Sequence, residues 1–146
     1  MAARKVLVID DSPTIHKVVA HTLKRLDYEV IKVRDGKSGL EKAKEVLPDL
    51  ILLDFMMPDM NGYQVCKALG QLPELEKTPI VLMSAKGEMI GEKLVKTMGI
   101  VDYITKPFSP EGLSTLIQHV IEKYCGPDGE RPAECETLME VGERSP

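Results

Sequence analysis

No stretch of this 146-residue chain approaches the run of about eighteen unbroken apolar residues that a membrane-spanning helix needs, so helical membrane insertion is not expected. The opening residues, MAARKVLVID, carry basic side chains but no long apolar segment and no cleavage site, and they do not form a secretory signal. The three cysteines, Cys66, Cys125 and Cys135, are odd in number and lack C-x-x-C spacing. They argue against a disulfide framework and against a zinc site, and for a reducing, cytoplasmic compartment. Gly87 and Gly91 do not make a G-x-G-x-x-G, which leaves a dinucleotide site without support. No internal repeat occurs. The net charge is −4, and residues 125–146 hold all of it, six acids against two arginines, so the body has 17 acids and 17 bases. A neutral body gives no electrostatic reason to bind nucleic acid directly.

What is present is an alternation. Hydrophobic content of 43% and charged content of 29% suit a globular domain with a real core. KVLVI (5–9), the more polar 30–33, LILL (50–53), IVLM (80–83) and the brief 103–105 read as strands, with 30–33 near an edge. Between them lie helical patterns. Ser12-Pro13 is a helix-start signal for 13–26, with Ile15, Val18, Val19, Thr22, Leu23 and Leu26 on one stripe. A short helix carries Leu40, Ala43 and Leu47 and stops before Pro48; another opens at Gly62 and runs through Val65, Cys66 and Leu69. Residues 88–98 form a weaker helical pattern, and about 110–124 forms the clearest stripe in the chain. Five strands alternating with five helices predict an α/β fold: a parallel sheet covered on both faces, doubly wound through right-handed crossovers. From Cys125 the composition turns to Gly, Pro and Glu without period, a linker or tail.

In such sheets the working site lies beyond the carboxyl ends of the strands. Those ends carry Asp10 and Asp11, Asp54, Ser84 and Lys106. A carboxylate at the end of the most apolar run is costly unless paired. Acids gathered at one rim repel each other, which a hard divalent cation such as Mg²⁺ relieves, while lysine and serine offer a point charge and a hydroxyl to a phosphoryl group. Asp54 is placed to attack such a group through a carboxylate oxygen.

VLVIDDSPT, LILLDFMMPDMNG, PIVLMSA and DYITKPF, in this order and spacing, resemble the receiver domain of bacterial two-component response regulators, the CheY-like family. The likeness covers residues 4–124, so a receiver domain of 1–124 and a tail of 125–146 are expected. It implies a flavodoxin-like (βα)5 sandwich with strand order 2-1-3-4-5. It also implies a phosphorylation-activated switch that is no enzyme beyond its own phosphorylation and dephosphorylation. In that likeness Asp54 is the phosphoacceptor, and Asp10, Asp11, Asp54 and the backbone carbonyl of Met56 hold Mg²⁺. Lys106 pairs with the phosphoryl group, Ser84 and Tyr103 are switch residues, Met56 and Lys86 tune rates, and the Lys106–Pro107 bond is cis. The implied partners are a sensor histidine kinase or phosphotransfer protein and a downstream effector or linked output domain.

Each residue alone has a plainer use: Asp10, Asp11 and Asp54 as caps or turns, Lys106 as a surface lysine, Ser84 as a turn hydroxyl, Tyr103 as core. Their joint placement on one sheet edge outweighs these. His16, His21 and His119 read as solvated helix residues, and the methionines as packing. A dehalogenase-type phosphatase would want an acid two residues after its nucleophile, where Met56 stands. A degenerate receiver serving only as a scaffold does not fit an intact set of Asp10, Asp11, Asp54, Ser84 and Lys106. The tail suggests a receiver cut from a longer protein slightly more than a stand-alone one.

Overall fold

The computed structural model describes residues 4–85, 96 and 99–125. The expected helix at 88–98, Lys86 and the tail beyond Cys125 lie outside the described residues. The elements run β1 (Lys5–Ile9), α1 (Pro13–Lys24), β2 (Glu29–Val33), α2 (Gly36–Val46), β3 (Leu50–Asp54), α3 (Gly62–Gly70), a 3₁₀ turn (Pro73–Leu75), β4 (Ile80–Ala85), β5 (Asp102–Lys106) and α4 (Pro110–Cys125). All strand pairs are parallel, in the order β2-β1-β3-β4-β5, with Leu7 opposite Ile51 and Leu53 opposite Leu82. This is the expected doubly wound, flavodoxin-like order.

Strand alternation splits the core into two layers. Val6, Val8, Leu50, Leu52, Val81 and Met83 pack under α1 and α4, against Val19, Leu23, Leu113 and Ile117. Leu7, Ile9, Ile51, Leu53 and Leu82 pack under α2 and α3, against Ala43, Val65 and Leu69. All five residues of β3 are buried, and each buried Leu or Ile there contributes about 1.5–3 kcal/mol. β3 is therefore a rigid base for whatever stands at its end.

The helices start as their caps dictate. Ser12 accepts from the Ile15 N–H at 3.4 Å, Asp35 from the Ser38 N–H at 3.2 Å, and Asn61 exchanges hydrogen bonds with Gln64 in a capping box. Two expectations fail at helix ends. Leu26 falls beyond α1, which closes at Arg25, and Asp27 follows with φ of 61°. Leu47 is not on the apolar stripe of α2 but is its left-handed C-cap, 52% exposed, because the proline after it disfavours helical backbone. The strands run longer than the apolar runs alone suggest: β3 takes in Asp54, and β4 takes in Ser84 and Ala85.

Candidate functional site

β1, β3 and β5 bring charged side chains to one rim by alternation alone. Val6, Val8 and Asp10 share a parity, as do Leu50, Leu52 and Asp54, and Ile104 and Lys106; the apolar members all lie in the layer under α1 and α4. Each series changes from apolar to charged where the packed layer ends. Lys106 Nζ donates to Asp10 Oδ2 at 2.8 Å and to Asp54 Oδ1 at 3.1 Å. Asp10 is fully buried and Asp54 is 6% exposed, so these pairs sit largely out of water. The second oxygen of Asp10 accepts from the Ser12 N–H at 2.8 Å. The plainer use of Asp10, helping to start α1, is thus real and coexists with the ion pair.

Asp11 is exposed beside this pair, and one carboxylate oxygen each from Asp10, Asp11 and Asp54 lie within 4.8 Å of one another. Among the described residues one ammonium, Lys106, is shared by two of these three acids. Burial pushes the Asp54 pKa up to about 6, the Asp10 charge adds to this, and the hydrogen bond and charge of Lys106 oppose it. Burial works against the charge on Lys106, yet the hydrogen bonds and charges of Asp10 and Asp54 outweigh it and hold the lysine pKa above its ordinary value. The donor set, hard carboxylate oxygens already gathered round one cation, fits Mg²⁺.

The neighbouring backbone leaves no slack under Asp54. The Gly62 N–H donates to the Phe55 carbonyl at 2.6 Å, and a Cβ on Gly62 would stand 3.0 Å from the Phe55 Cα and 3.1 Å from the Asp54 carbonyl oxygen. Glycine lets α3 begin against the strand end.

Of the other expected residues, Ser84 is buried at 2% exposure on β4, one position past Met83, the residue paired with Asp54. Strand alternation gives it the parity of Leu82, so it stands at the same rim as the ion pairs but on the side of the layer under α2 and α3. Tyr103 sits on edge strand β5 and is 36% exposed, not core. Met56 is 60% exposed just past Asp54. The Lys106–Pro107 bond is cis. His21 and His119 are exposed, as expected.

His16 is a correction. It is 7% exposed, and its Nε2 lies 3.0 Å from the Val33 carbonyl, which also accepts from the Asp10 N–H at 3.1 Å. The carbonyl takes the donor, so that nitrogen carries the proton. His16 ties α1 to the end of β2 beside the acid cluster. The signal was in the sequence: His16, Val19 and Leu23 are spaced i, i+3, i+7, the core stripe itself. Asp59 was also missed. Its carboxylate reaches α2 and accepts from the Gly36 and Lys37 N–H groups, each at 3.1 Å.

The family model described as "Response regulator receiver domain" matches residues 6–118. The chain is similar to the alkaline phosphatase synthesis transcriptional regulatory protein PhoP of Bacillus subtilis, 38% identical over 120 residues, 82% of this chain and 49% of that protein. It is 34% identical over 120 residues to protein PilG of Pseudomonas aeruginosa, covering 82% of this chain and 89% of PilG. The chain thus spans about half the length of PhoP and nearly all of PilG. Among solved structures, chemotaxis protein CheY4 of Vibrio cholerae superposes with a TM-score of 0.75 at 37% identity, covering 82% of this chain and 99% of CheY4. Fold, rim chemistry and sequence agree: this chain belongs to the response regulator receiver domain family, the phosphorylation-activated switches of two-component systems, which are not classical enzymes.

Proposed function

We propose that Asp54 is the phosphoacceptor of this chain, and that the carboxylates of Asp10, Asp11 and Asp54 with the Met56 carbonyl hold Mg²⁺. The observation that carries this reading is Lys106 Nζ shared between Asp10 and Asp54, in a buried pocket with a third acid adjacent. Bound Mg²⁺ would supply charge neutralisation for a transferring phosphoryl group. The residues supply the rest. An ionised Asp54 oxygen attacks the phosphorus of a phosphohistidine or a small phosphodonor; the new P–O bond forms as the P–N or donor P–O bond breaks, and the leaving group takes the proton it needs from water. Lys106, already seated on Asp54, is within reach of the incoming oxygens, so catalysis is positioning and electrostatics. Water later hydrolyses the acyl phosphate, and the chain catalyses nothing beyond its own loading and unloading.

The added charge on Asp54 would draw the Ser84 hydroxyl from the neighbouring strand, and Tyr103 on the edge strand would take a new position. The face around β5 and α4 then changes partners, which is the output. Lys86, two positions past Ser84 in the sequence, would tune the phosphoryl lifetime or the choice of partner. The partners of this reading are a sensor histidine kinase or phosphotransfer protein and an effector or linked output domain. Residues 1–124 form the receiver, and 125–146 serve as tail or linker. A cytoplasmic location suits an odd cysteine count without C-x-x-C spacing, and no described helix is long and apolar enough to cross a membrane.

Incubation with acetyl phosphate and Mg²⁺ tests the reading. Wild type is expected to gain one phosphoryl group, and chelation of the metal or Asp54→Asn to reduce labelling to background. Undiminished labelling of the variant would refute the assignment of Asp54.

A further inference from the structure

The segment between β3 and α3 is pinned at its base, where Phe55 N–H donates to the Met83 carbonyl at 3.0 Å and Gly62 N–H to the Phe55 carbonyl at 2.6 Å. Its far part is held differently. Asp59 reaches across to α2, its Oδ1 accepting from the Gly36 N–H and its Oδ2 from the Lys37 N–H, each at 3.1 Å. Met60, the next residue, lies over the same glycine: a Cβ on Gly36 would stand 3.0 Å from the Met60 Cβ and 2.9 Å from Val65 Cγ2. The Gly36 amide holds the Asp59 carboxyl below its ordinary pKa; burial opposes it, and the Lys37 amide adds to the lowering. The acid therefore stays ionised and keeps both bonds at neutral pH.

As helix caps the two acids divide the work: Asp35 accepts from the Ser38 N–H at 3.2 Å, and Asp59 takes the two N–H groups before it. For the loop only the Asp59 contact matters, because it anchors the excursion away from its two pinned ends. Met56 stands between the pinned base and Asp59, on the stretch whose height the anchor sets.

We propose that Asp59 is a positioning residue for the cation site: its clasp on Gly36 and Lys37 holds the Met56 segment against the Asp10–Asp11–Asp54 cluster, so that α2 supports a metal ligand it does not itself carry. The inference rests on the reading of the Met56 carbonyl as a ligand. It also makes the start of α2 part of the site's scaffold. A side chain at Gly36, crowding Met60 and Val65, would be felt in metal affinity with every residue of the cluster unchanged.

Mg²⁺ binding to the full chain is measured by calorimetry without any phosphodonor. The salt is set at about 1 M, where a screening length of about 3 Å removes the distant charge of Asp59 as an explanation. Asp59→Ala is expected to weaken Mg²⁺ binding by about tenfold, the low end for outer partners of metal ligands. Asp35→Ala, which strips the helix's own cap and leaves the loop clasped, is expected to lose comparable thermal stability with wild-type affinity. Asp59→Asn, which keeps one accepting oxygen, should recover most of the binding. Equal affinity in Asp59→Ala and wild type, or an equal loss in Asp59→Ala and Asp35→Ala, overturns the clasp while leaving the site intact. A wild-type chain with no Mg²⁺ affinity overturns the reading of the site and the clasp together.

Discussion

Two aspartates bracket one strand. Asp49 stands just before β3, and Asp54 is its last residue. At the amino end, the Asp49 N–H donates to the Lys5 carbonyl and its Oδ2 accepts from the Lys5 N–H, both at 2.8 Å. The Lys5 ammonium turns to the Val46 carbonyl at 3.4 Å. Every group there is absorbed by the backbone it helps to fold. At the carboxyl end Asp54 faces Asp10, Asp11 and one shared lysine, and its pKa is driven up to about 6. Residue type and strand are the same; only the surroundings differ. The lesson is that a carboxylate becomes chemically available where the fold supplies it with too few partners, and becomes mechanical where the backbone supplies enough.

The largest effect should come from taking away the shared cation. Lys106→Met strands two buried carboxylates and should cost about 3 kcal/mol in denaturant unfolding without metal, with part regained on adding Mg²⁺. An unchanged midpoint would mean that the carboxyl end is as well satisfied as the amino end. Next, Asp54→Asn should stabilise the metal-free chain at pH 7.5 by about 2 kcal/mol. The sign follows from a folded-state pKa raised from 3.8 to about 6, which makes the folded chain bind more protons than the unfolded one between those values. The benefit of the protonated Asp54 is full below 3.8 and is lost as pH rises through about 6, so wild type should show a downward step in stability that the variant lacks. Asp49→Ala should go the other way, losing about 1 kcal/mol for its bond to the Lys5 N–H, as chemical denaturation would reveal. A gain there would erase the contrast between the two ends. The smallest effect is expected beside the site. Replacing the apolar Met56 by Asn should admit water and shorten the phosphoryl half-life by about threefold, about 0.6 kcal/mol of barrier. A wild-type half-life equal to or shorter than that of the variant sinks the idea.

Much of this was legible because the signals are local. Apolar runs ending in acids marked β1 and β3, and Ser12-Pro13 marked the start of α1. The meeting of Lys106 with Asp10 spans 96 residues and has no local trace; the rule that such sheets work at the carboxyl ends of their strands put both on one rim, and the resemblance of four motifs paired them. Leu47 was misassigned because an apolar residue at helical spacing looks the same whether it ends the stripe or caps it. Tyr103 taken alone reads as core, but an edge strand leaves one of its faces partly uncovered. The Asp59 clasp could not be seen at all. It joins a turn to a helix 22 and 23 residues earlier, and an acid in a Pro-Asp-Met-Asn-Gly stretch reads as ordinary turn chemistry.

The shared parity of Asp10, Asp54 and Lys106 has a consequence for how such a chain can vary. The pocket is kept as a count of residues along three strands, and a count is indifferent to most replacements but not to an added or missing member. One residue gained or lost inside β1, β3 or β5 would turn a charged end toward the opposite layer and dismantle the pocket without altering any of its side chains. The same event between Leu72 and Thr78 would leave the count alone. Lineages of this fold should therefore accumulate length changes in their connections and almost none in these three strands.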